Sequence, residues 1–309
     1  MSDLEDLLQN LAQRDEPLAL HTTMRVGGPA AWWAEPQNEE ELIAVLQGVR
    51  RAGCPLRAIG AGSNLVASDS GFDGVILKLG DGFAWQRVED NRLIVGGAVL
   101  LPKLTHFAIK HRLGNMEWAC GIPGTVGGSI WGNAGARGFN GKEWESRDAA
   151  ADLESLVAYD RAGQRHTLRR TDIEFAYRRS SLGDLIVTAA TFALKPLSEN
   201  EARTHSEAVK ALLKKRRETQ PVNAASAGCI WKNPKLEGCA SAGALIEQLG
   251  LKGRHVGGAA ISEIHANFIV NVERATGNDV RSLMREVEDT VLHATGVRLE
   301  REVRLLGEQ

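Results

Sequence analysis

Apolar positions along this chain fall at helical spacing in some stretches and at strand spacing in others. Asn38-Glu39-Glu40-Glu41 sets a capping residue three places ahead of a glutamate, and Leu42, Val45, Leu46 and Val49 follow on one face. Gly53 stops that helix, and residues 55–59 read as a short apolar strand. Residues 74–79 (Val75, Ile76, Leu77) and 93–95 read as further strands. Pro102 suits the first turn of a helix carrying Leu104, Phe107, Ala108 and His111, closed by Gly114. Strand patterns then cluster at 155–160, 165–168 and 185–194.

Ser198 with Glu201 caps a long basic helix that ends near Arg217, and Pro221 interrupts the chain. From there to Cys229 the composition is small and polar, which marks a domain boundary. A short helix (Ala244, Leu245, Leu249, stopped by Gly250) and an apolar strand over 268–272 come next. A longer helix follows, with Val280, Leu283, Met284, Val287 and Val291 on one face and Gly296 at its end. The chain closes as an alternating strand, with Val297, Leu299, Val303 and Leu305 on one side and Arg298, Glu300, Glu302 and Arg304 on the other. The domain bounds expected are 1–82, 83–218 and 219–300, with 301–309 returning as a strand.

Two glycine loops punctuate this pattern. Gly60-Ala61-Gly62-Ser63-Asn64 follows the 55–59 strand. The longer run is Gly121-Ile122-Pro123-Gly124-Thr125-Val126-Gly127-Gly128-Ser129-Ile130-Trp131-Gly132-Asn133-Ala134-Gly135. Glycine permits positive φ, so main-chain N–H groups can converge on an anion such as a pyrophosphate. A dinucleotide fingerprint of the Rossmann kind needs a long helix opening at the glycines. Here Leu65-Val66-Ala67-Ser68-Asp69-Ser70-Gly71 reads as turn residues, so loops would hold the phosphate. One or two glycines in each loop are expected to serve only as turns.

Composition narrows the function. At 309 residues the chain is long enough for two or three domains. A net charge of -2 gives no support for nucleic-acid binding or a general membrane-surface role. No apolar run approaches the about 20 residues of a membrane span. The acidic, amphipathic start (Leu4, Leu7, Leu8, Leu11) does not read as a secretion signal, so a cytoplasmic protein is expected. The four cysteines (Cys54, Cys120, Cys229, Cys239) show no C-x-x-C pair, which argues against zinc, and no metal is expected. The oligomeric state stays open, with a monomer favoured.

Several segments together resemble one family. Thr23-Met24-Arg25-Val26-Gly27-Gly28-Pro29-Ala30, the Gly60 loop through Leu65, the long glycine run, Tyr177-Arg178-Arg179-Ser180, Gly228-Cys229-Ile230-Trp231-Lys232-Asn233-Pro234 and Glu302-Val303-Arg304 occur in order. They resemble the UDP-N-acetylenolpyruvoylglucosamine reductases, flavoenzymes of bacterial peptidoglycan precursor synthesis. The short connection from Arg178 to Ser198 is similar to the branch of that family lacking an extra tyrosine-bearing loop. The resemblance implies an α+β chain: an FAD-binding fold of the vanillyl-alcohol-oxidase type in two subdomains, and a separate α+β substrate domain. It implies non-covalent FAD, with NADPH passing a hydride to the flavin and the reduced flavin passing it to the enolpyruvyl ether of a UDP-sugar. An oxidase or dehydrogenase of the same fold acting on an alcohol or sugar is one alternative; relatives of that kind often tether flavin through His or Cys, and Cys120 borders the long run. A non-catalytic nucleotide-binding module is the other.

The implied chemistry assigns residues. Hydride adds to the outer carbon of an enol ether conjugated to a carboxylate, so negative charge spreads into that carboxylate. Arg178 matches the carboxylate-binding arginine, with a guanidinium fork suited to a planar anion. Arg179 reads as a surface residue; Tyr177 either orients the site or packs. Glu302 matches the family's terminal glutamate, which helps stabilise the enolate-like intermediate. A plain carboxylate would repel that charge, so it must be protonated or act through a shared proton. Cys229 stands where most members carry serine as proton donor; a thiol, with a reference pKa of about 8.5, is mostly protonated at neutral pH and fills the same role. An inert Cys229 with water or Ser226 in its place is the alternative. Flavin contacts fall on Gly60, Gly62, Ser63, Asn64, Gly121, Gly124, Gly127, Gly128 and Ser129, with Asn133 and Gly135 shaping the same wall. Lys232 and Asn233, with Tyr177, are expected to face the UDP-sugar. Arg216 and Arg217 face its diphosphate or only solvent, and His265 lines the site or packs.

Overall fold

The computed structural model describes Leu8, residues 10–234 and residues 241–307. Cys239 and most of the amphipathic start lie outside the described residues. The chain divides into two compact units that interleave in sequence. One holds Met1–Gln13, Trp32–Ala61 and Gly74–Lys214; the other holds Arg14–Ala31, Gly62–Asp73 and Lys215–Gln309.

In the first unit the helix Glu39–Arg51 forms as its pattern predicts. Glu41 N donates to Asn38 Oδ1 at 2.9 Å, and Leu42, Val45, Leu46 and Val49 are buried. The strand Leu56–Ile59 then pairs parallel with the strand Phe72–Lys78, Leu56 opposite Val75 and Ile59 opposite Lys78. A five-stranded antiparallel sheet is the unit's main platform. Its spatial order is Arg165–Arg169, Leu153–Tyr159, Ile186–Ala193, Arg92–Gly96, Gln86–Glu89. The helix Leu101–Lys110 shares one core with it, through Leu93, Val95, Leu104, Trp118, Val126, Ile130, Leu156 and Phe192. Val126 and Ile130 belong to the long glycine run. The sequence suggests a loop there, yet Val126–Trp131 is a short helix capped by Thr125, because those two apolar side chains must reach the core. The run continues into the strand Gly135–Phe139, paired with Trp144–Asp148.

In the second unit four antiparallel strands lie in the order Ala225–Cys229, Phe268–Asn271, Ala259–Ile261, His255–Val256. The helices Ala242–Gln248 and Gly277–Thr295 complete it. The longer helix buries Val280, Leu283, Met284, Val287 and Val291 among Ile230, Trp231, Ile246, Ile269, Leu299 and Val303. Met24, Val26 and Val66, from the two early segments, join the same core. Leu65–Ala67, expected as a turn, is a strand running parallel to Arg304–Leu306. A partner from the far end of the chain overrides the local turn signal. The closing strand is also shorter than its alternation suggests. Leu299 and Val303 are buried, but only Arg304–Leu306 joins a ladder; ahead of it, Glu302 N and Val303 N both donate to Ile230 O.

No described helix is long and apolar enough to cross a membrane, and no group of three described His, Cys, Asp or Glu residues is placed to hold a metal ion.

Candidate active site

The first glycine loop lies where the chain passes from the first unit to the second. Gly62 takes φ +64°, a left-handed conformation that favours glycine, and a Cβ there would collide with His21 O. Among the described residues, the main-chain N–H groups of Ala61, Gly62, Ser63 and Asn64 donate to no acceptor elsewhere in the chain. Successive amides left in this state form a cradle for an anion. The long run differs. Gly124 N donates to Ile122 O, Val126 N to Val99 O, Gly127 N to Gly97 O and Gly128 N to Thr125 Oγ1. Its glycines serve close packing instead. A Cβ on Gly127 would press on Val187 O at 2.8 Å, and one on Gly60 would strike the Thr125 hydroxyl, so Gly60 brings the first loop against the cap of the Val126–Trp131 helix. Gly121 and Gly124 are half-buried, Gly128 is exposed and Ser129 is buried. An anion cradle of this kind fits the pyrophosphate of a dinucleotide cofactor.

Arg178 sits in the first unit, in the two-residue turn between the short strands Phe175–Ala176 and Arg179–Ser180. Its φ of +57° is left-handed, an uncommon state for a residue with a long side chain. Three contacts hold this turn. Arg178 Nη2 donates to Gly135 O at 2.9 Å, Ser180 Oγ to Trp131 O at 2.6 Å, and Asn133 Nδ2 to Ala176 O at 3.0 Å. The guanidinium lies 5.0 Å from the centre of the Tyr177 ring. Asn133 is buried; its Nδ2 also donates to Asp148 Oδ2, and its Oδ1 accepts from Ala150 N. Its amide therefore ties the turn to residues 148–150. A pocket of about 650 Å³ lies beside it, lined by Asn133, Asp148, Arg170, Phe175 and Tyr177 among others.

Cys229, Lys232, Asn233 and Glu302 belong to the second unit, with Ser63 and Asn64. Gly228, at φ +75°, breaks the regular register of its strand just before the half-buried Cys229, and a Cβ on Gly228 would stand 4.0 Å from Ser63 O. Glu302 N donates to Ile230 O at 2.8 Å, Asn64 Nδ2 to Glu302 O at 3.2 Å, and Arg304 N to Asn64 O at 2.9 Å. Asn64, the Cys229 segment and Glu302 are thus tied together by two main-chain bonds and the Asn64 side chain, although they are scattered through the sequence. Lys232 Nζ pairs with Glu300, and Lys232 N donates to Glu300 O. Asn233 Oδ1 accepts Ala242 N at 3.1 Å, at the start of the Ala242–Gln248 helix. His265 packs: burial pushes its pKa below the usual value, its Nδ1 accepts from Asn267 N, and its ring stands 5.0 Å from that of Phe268.

Two residues that build this region carry no sequence signal. Asn267 is buried, and its side chain accepts from Trp231 N at 2.9 Å and donates to Trp231 O at 2.8 Å, imitating a strand neighbour. Glu288 accepts from the indole of Trp231. Neither could be found without knowing that residues 230–232 and 300–303 meet.

Two family models match the chain. The C-terminal domain of UDP-N-acetylenolpyruvoylglucosamine reductase covers residues 220–306, and an FAD binding domain covers residues 30–145. The reductase of Anoxybacillus flavithermus is 41% identical over 312 residues, covering 98% of each chain. That of a Synechococcus species is 40% identical, covering 99% of this chain and 97% of the other. The crystal structure of the Thermus caldophilus reductase superposes with a TM-score of 0.76 at 34% identity, covering 94% of this chain and 97% of that one. With both models matched in order and identity sustained over nearly the whole length, the chain belongs to the family of UDP-N-acetylenolpyruvoylglucosamine reductases.

Proposed function

We propose that the chain reduces the enolpyruvyl ether of UDP-N-acetylglucosamine enolpyruvate to UDP-N-acetylmuramate, an NADPH-dependent step in peptidoglycan precursor synthesis. The observation that carries this reading is the main-chain bond from Glu302 to Ile230, which sets the glutamate beside the segment bearing Cys229. FAD, when bound, supplies the relay that takes a hydride from NADPH and gives it to the outer carbon of the substrate double bond. We assign its diphosphate to the amides of residues 61–64, and further flavin contacts to Gly121, Gly124, Gly127, Gly128 and Ser129.

Arg178 holds the substrate carboxylate, so its positive charge lies where negative charge develops. Its side chain is already anchored to Gly135, which limits the reorganisation needed during reaction. Cys229, in the thiol form, gives its proton to the inner carbon. Glu302, protonated or sharing a proton, stabilises the enolate-like intermediate. Lys232 and Asn233 line the UDP-sugar side. The proton given up by Cys229 returns from solvent once per turnover. We assign flavin binding to residues 1–218 and the UDP-sugar to 219–300. We place the enzyme in the cytoplasm, with its two soluble nucleotide substrates; its oligomeric state stays open, with a monomer favoured.

Replacing Cys229 by alanine tests the reading. Without oxygen, NADPH should still bleach the flavin, while added enolpyruvyl sugar should restore its colour at least about 100-fold more slowly. Re-oxidation at the wild-type rate would remove Cys229 from the mechanism.

A further inference from the structure

Glu288 lies on the helix Gly277–Thr295, and its carboxylate meets both the segment that carries Cys229 and the one that carries Glu302. Oε1 accepts from Trp231 Nε1 at 2.9 Å and from Arg301 Nε at 2.7 Å, and Oε2 accepts from Arg301 Nη2 at 2.8 Å. Trp231 is two residues beyond Cys229 and almost fully buried; Arg301 immediately precedes Glu302. Trp231 and Arg301 face each other in an isolated antiparallel bridge, and main-chain bonds flank it on both sides, Lys232 N to Glu300 O and Glu302 N to Ile230 O.

We propose that Glu288 is a positioning residue for the reduction step: one carboxylate fixes the register between the Cys229 and Glu302 segments. The proposal rests on the assignment of those two residues above. Its physical basis is that a two-residue bridge has little cohesion of its own. The planar Arg301 fork takes both carboxylate oxygens and so fixes an angle as well as a distance. The buried indole N–H needs an acceptor, so Trp231 cannot swing away from Glu288 without loss. Removing the carboxylate takes the acceptor from the indole N–H and two charged bonds from the guanidinium, and the bridge loosens. Misplacement of a reacting group by about 1 Å costs about 100-fold in rate.

The test uses the FAD-loaded enzyme and separates the two half-reactions without oxygen. Glu288→Gln keeps an acceptor for Trp231 but loses the charge that pairs with Arg301. Trp231→Phe keeps a ring in the core and loses only the N–H. Flavin reduction by NADPH is expected within about twofold of wild type in both. Flavin re-oxidation by the enolpyruvyl UDP-sugar is expected to slow by about 10- to 100-fold in Glu288→Gln, with a raised solvent deuterium isotope effect, and by a smaller factor in Trp231→Phe. Iodoacetamide labelling at Cys229, mapped by mass spectrometry, should also speed up. A role in stability alone would lower the melting temperature and leave the ratio of the two half-reactions unchanged; that outcome, or re-oxidation at the wild-type rate, overturns the proposal. If Glu288→Gln does not fold, Trp231→Phe decides by the same split. Cys229→Ala and Glu302→Gln run alongside. Should those two re-oxidise normally, the catalytic assignment has failed; should they be slow while Glu288→Gln is not, only the positioning role has.

Discussion

The carboxylate of Asp69 accepts the main-chain N–H of Gly277 at 2.6 Å and that of Asn278 at 2.8 Å. Thr276 and Asp279 form a reciprocal capping box at the same helix start. The helix therefore has a local cap and a distant one, and the distant one binds it to the Gly62–Asp73 segment of the same unit. An anion at a helix N-terminus is stabilising, and losing a capping oxygen typically costs about 1 kcal/mol. Asp69→Ala is expected to lower unfolding stability by about that amount, measured by urea denaturation, with flavin content unchanged. Because this helix carries Glu288, Asp69→Ala should also slow flavin re-oxidation by a few-fold.

Arg178→Lys retains charge and loses the planar fork. The lysine cannot both reach Gly135 O and grip a carboxylate in two places. We expect the KM for the enolpyruvyl sugar to rise and re-oxidation to fall by about 100-fold, while NADPH reduces the flavin at nearly the wild-type rate. Stopped-flow traces of the two half-reactions check this. Equal loss in both would mean that Arg178 supports the flavin pocket rather than the substrate.

Gly60→Ala puts a methyl group where the Thr125 hydroxyl lies, and that hydroxyl accepts Gly128 N at 3.3 Å. Either the cap of the Val126–Trp131 helix or the first loop must move. Purified Gly60→Ala should carry a markedly lower ratio of flavin to protein absorbance than wild type. Gly183→Ala is the control for strain without collision: nothing lies within 4 Å of its Cβ, and it carries a positive φ of +56° that Gly60 lacks.

Glu201 lies in the first turn of the helix Glu199–Thr219. Its carboxylate accepts from Ser198 N at 2.8 Å, and this bond, with those from the Ser198 hydroxyl and Lys195, lowers its pKa from 4.5 to about 2. A depressed carboxyl pKa contributes stability that is present above the unfolded value and lost as pH falls through the folded one. The first turn of this helix should therefore fray between about pH 4.5 and 2. Amide exchange of the 199–203 N–H groups would report it. Glu201→Gln should remove that pH dependence, with the turn already weaker at neutral pH.

The helices were legible because each carries its own instructions. Asn38 with Glu41, Ser198 with Glu201, and the Val280-Leu283-Met284-Val287-Val291 stripe ended by Gly296 all act within one or two turns. Strands that depend on a distant partner were not. Leu65–Ala67 is too short to show a period, and Ala225–Cys229 is too small and polar; each is a strand only because Arg304–Leu306 or Phe268–Asn271 lies alongside. The long glycine run misled in the opposite direction, since its two apolar anchors outweigh the flexibility of its glycines.

By itself the sequence determined the local helices, the chemistry available at Arg178, Cys229 and Glu302, and the order of motifs by which the family is known. Only the tertiary structure decided that the Gly62–Asp73 segment clusters with the C-terminal part of the chain, that Asn133 ties the Arg178 turn to residues 148–150, and that Asn267 and Glu288 lock the Cys229 and Glu302 segments together. The reason is physical. Capping and periodicity act over a few residues and leave a mark in sequence, whereas a buried side chain that satisfies a backbone many residues away is chosen by its surroundings, which exist only once the chain has folded.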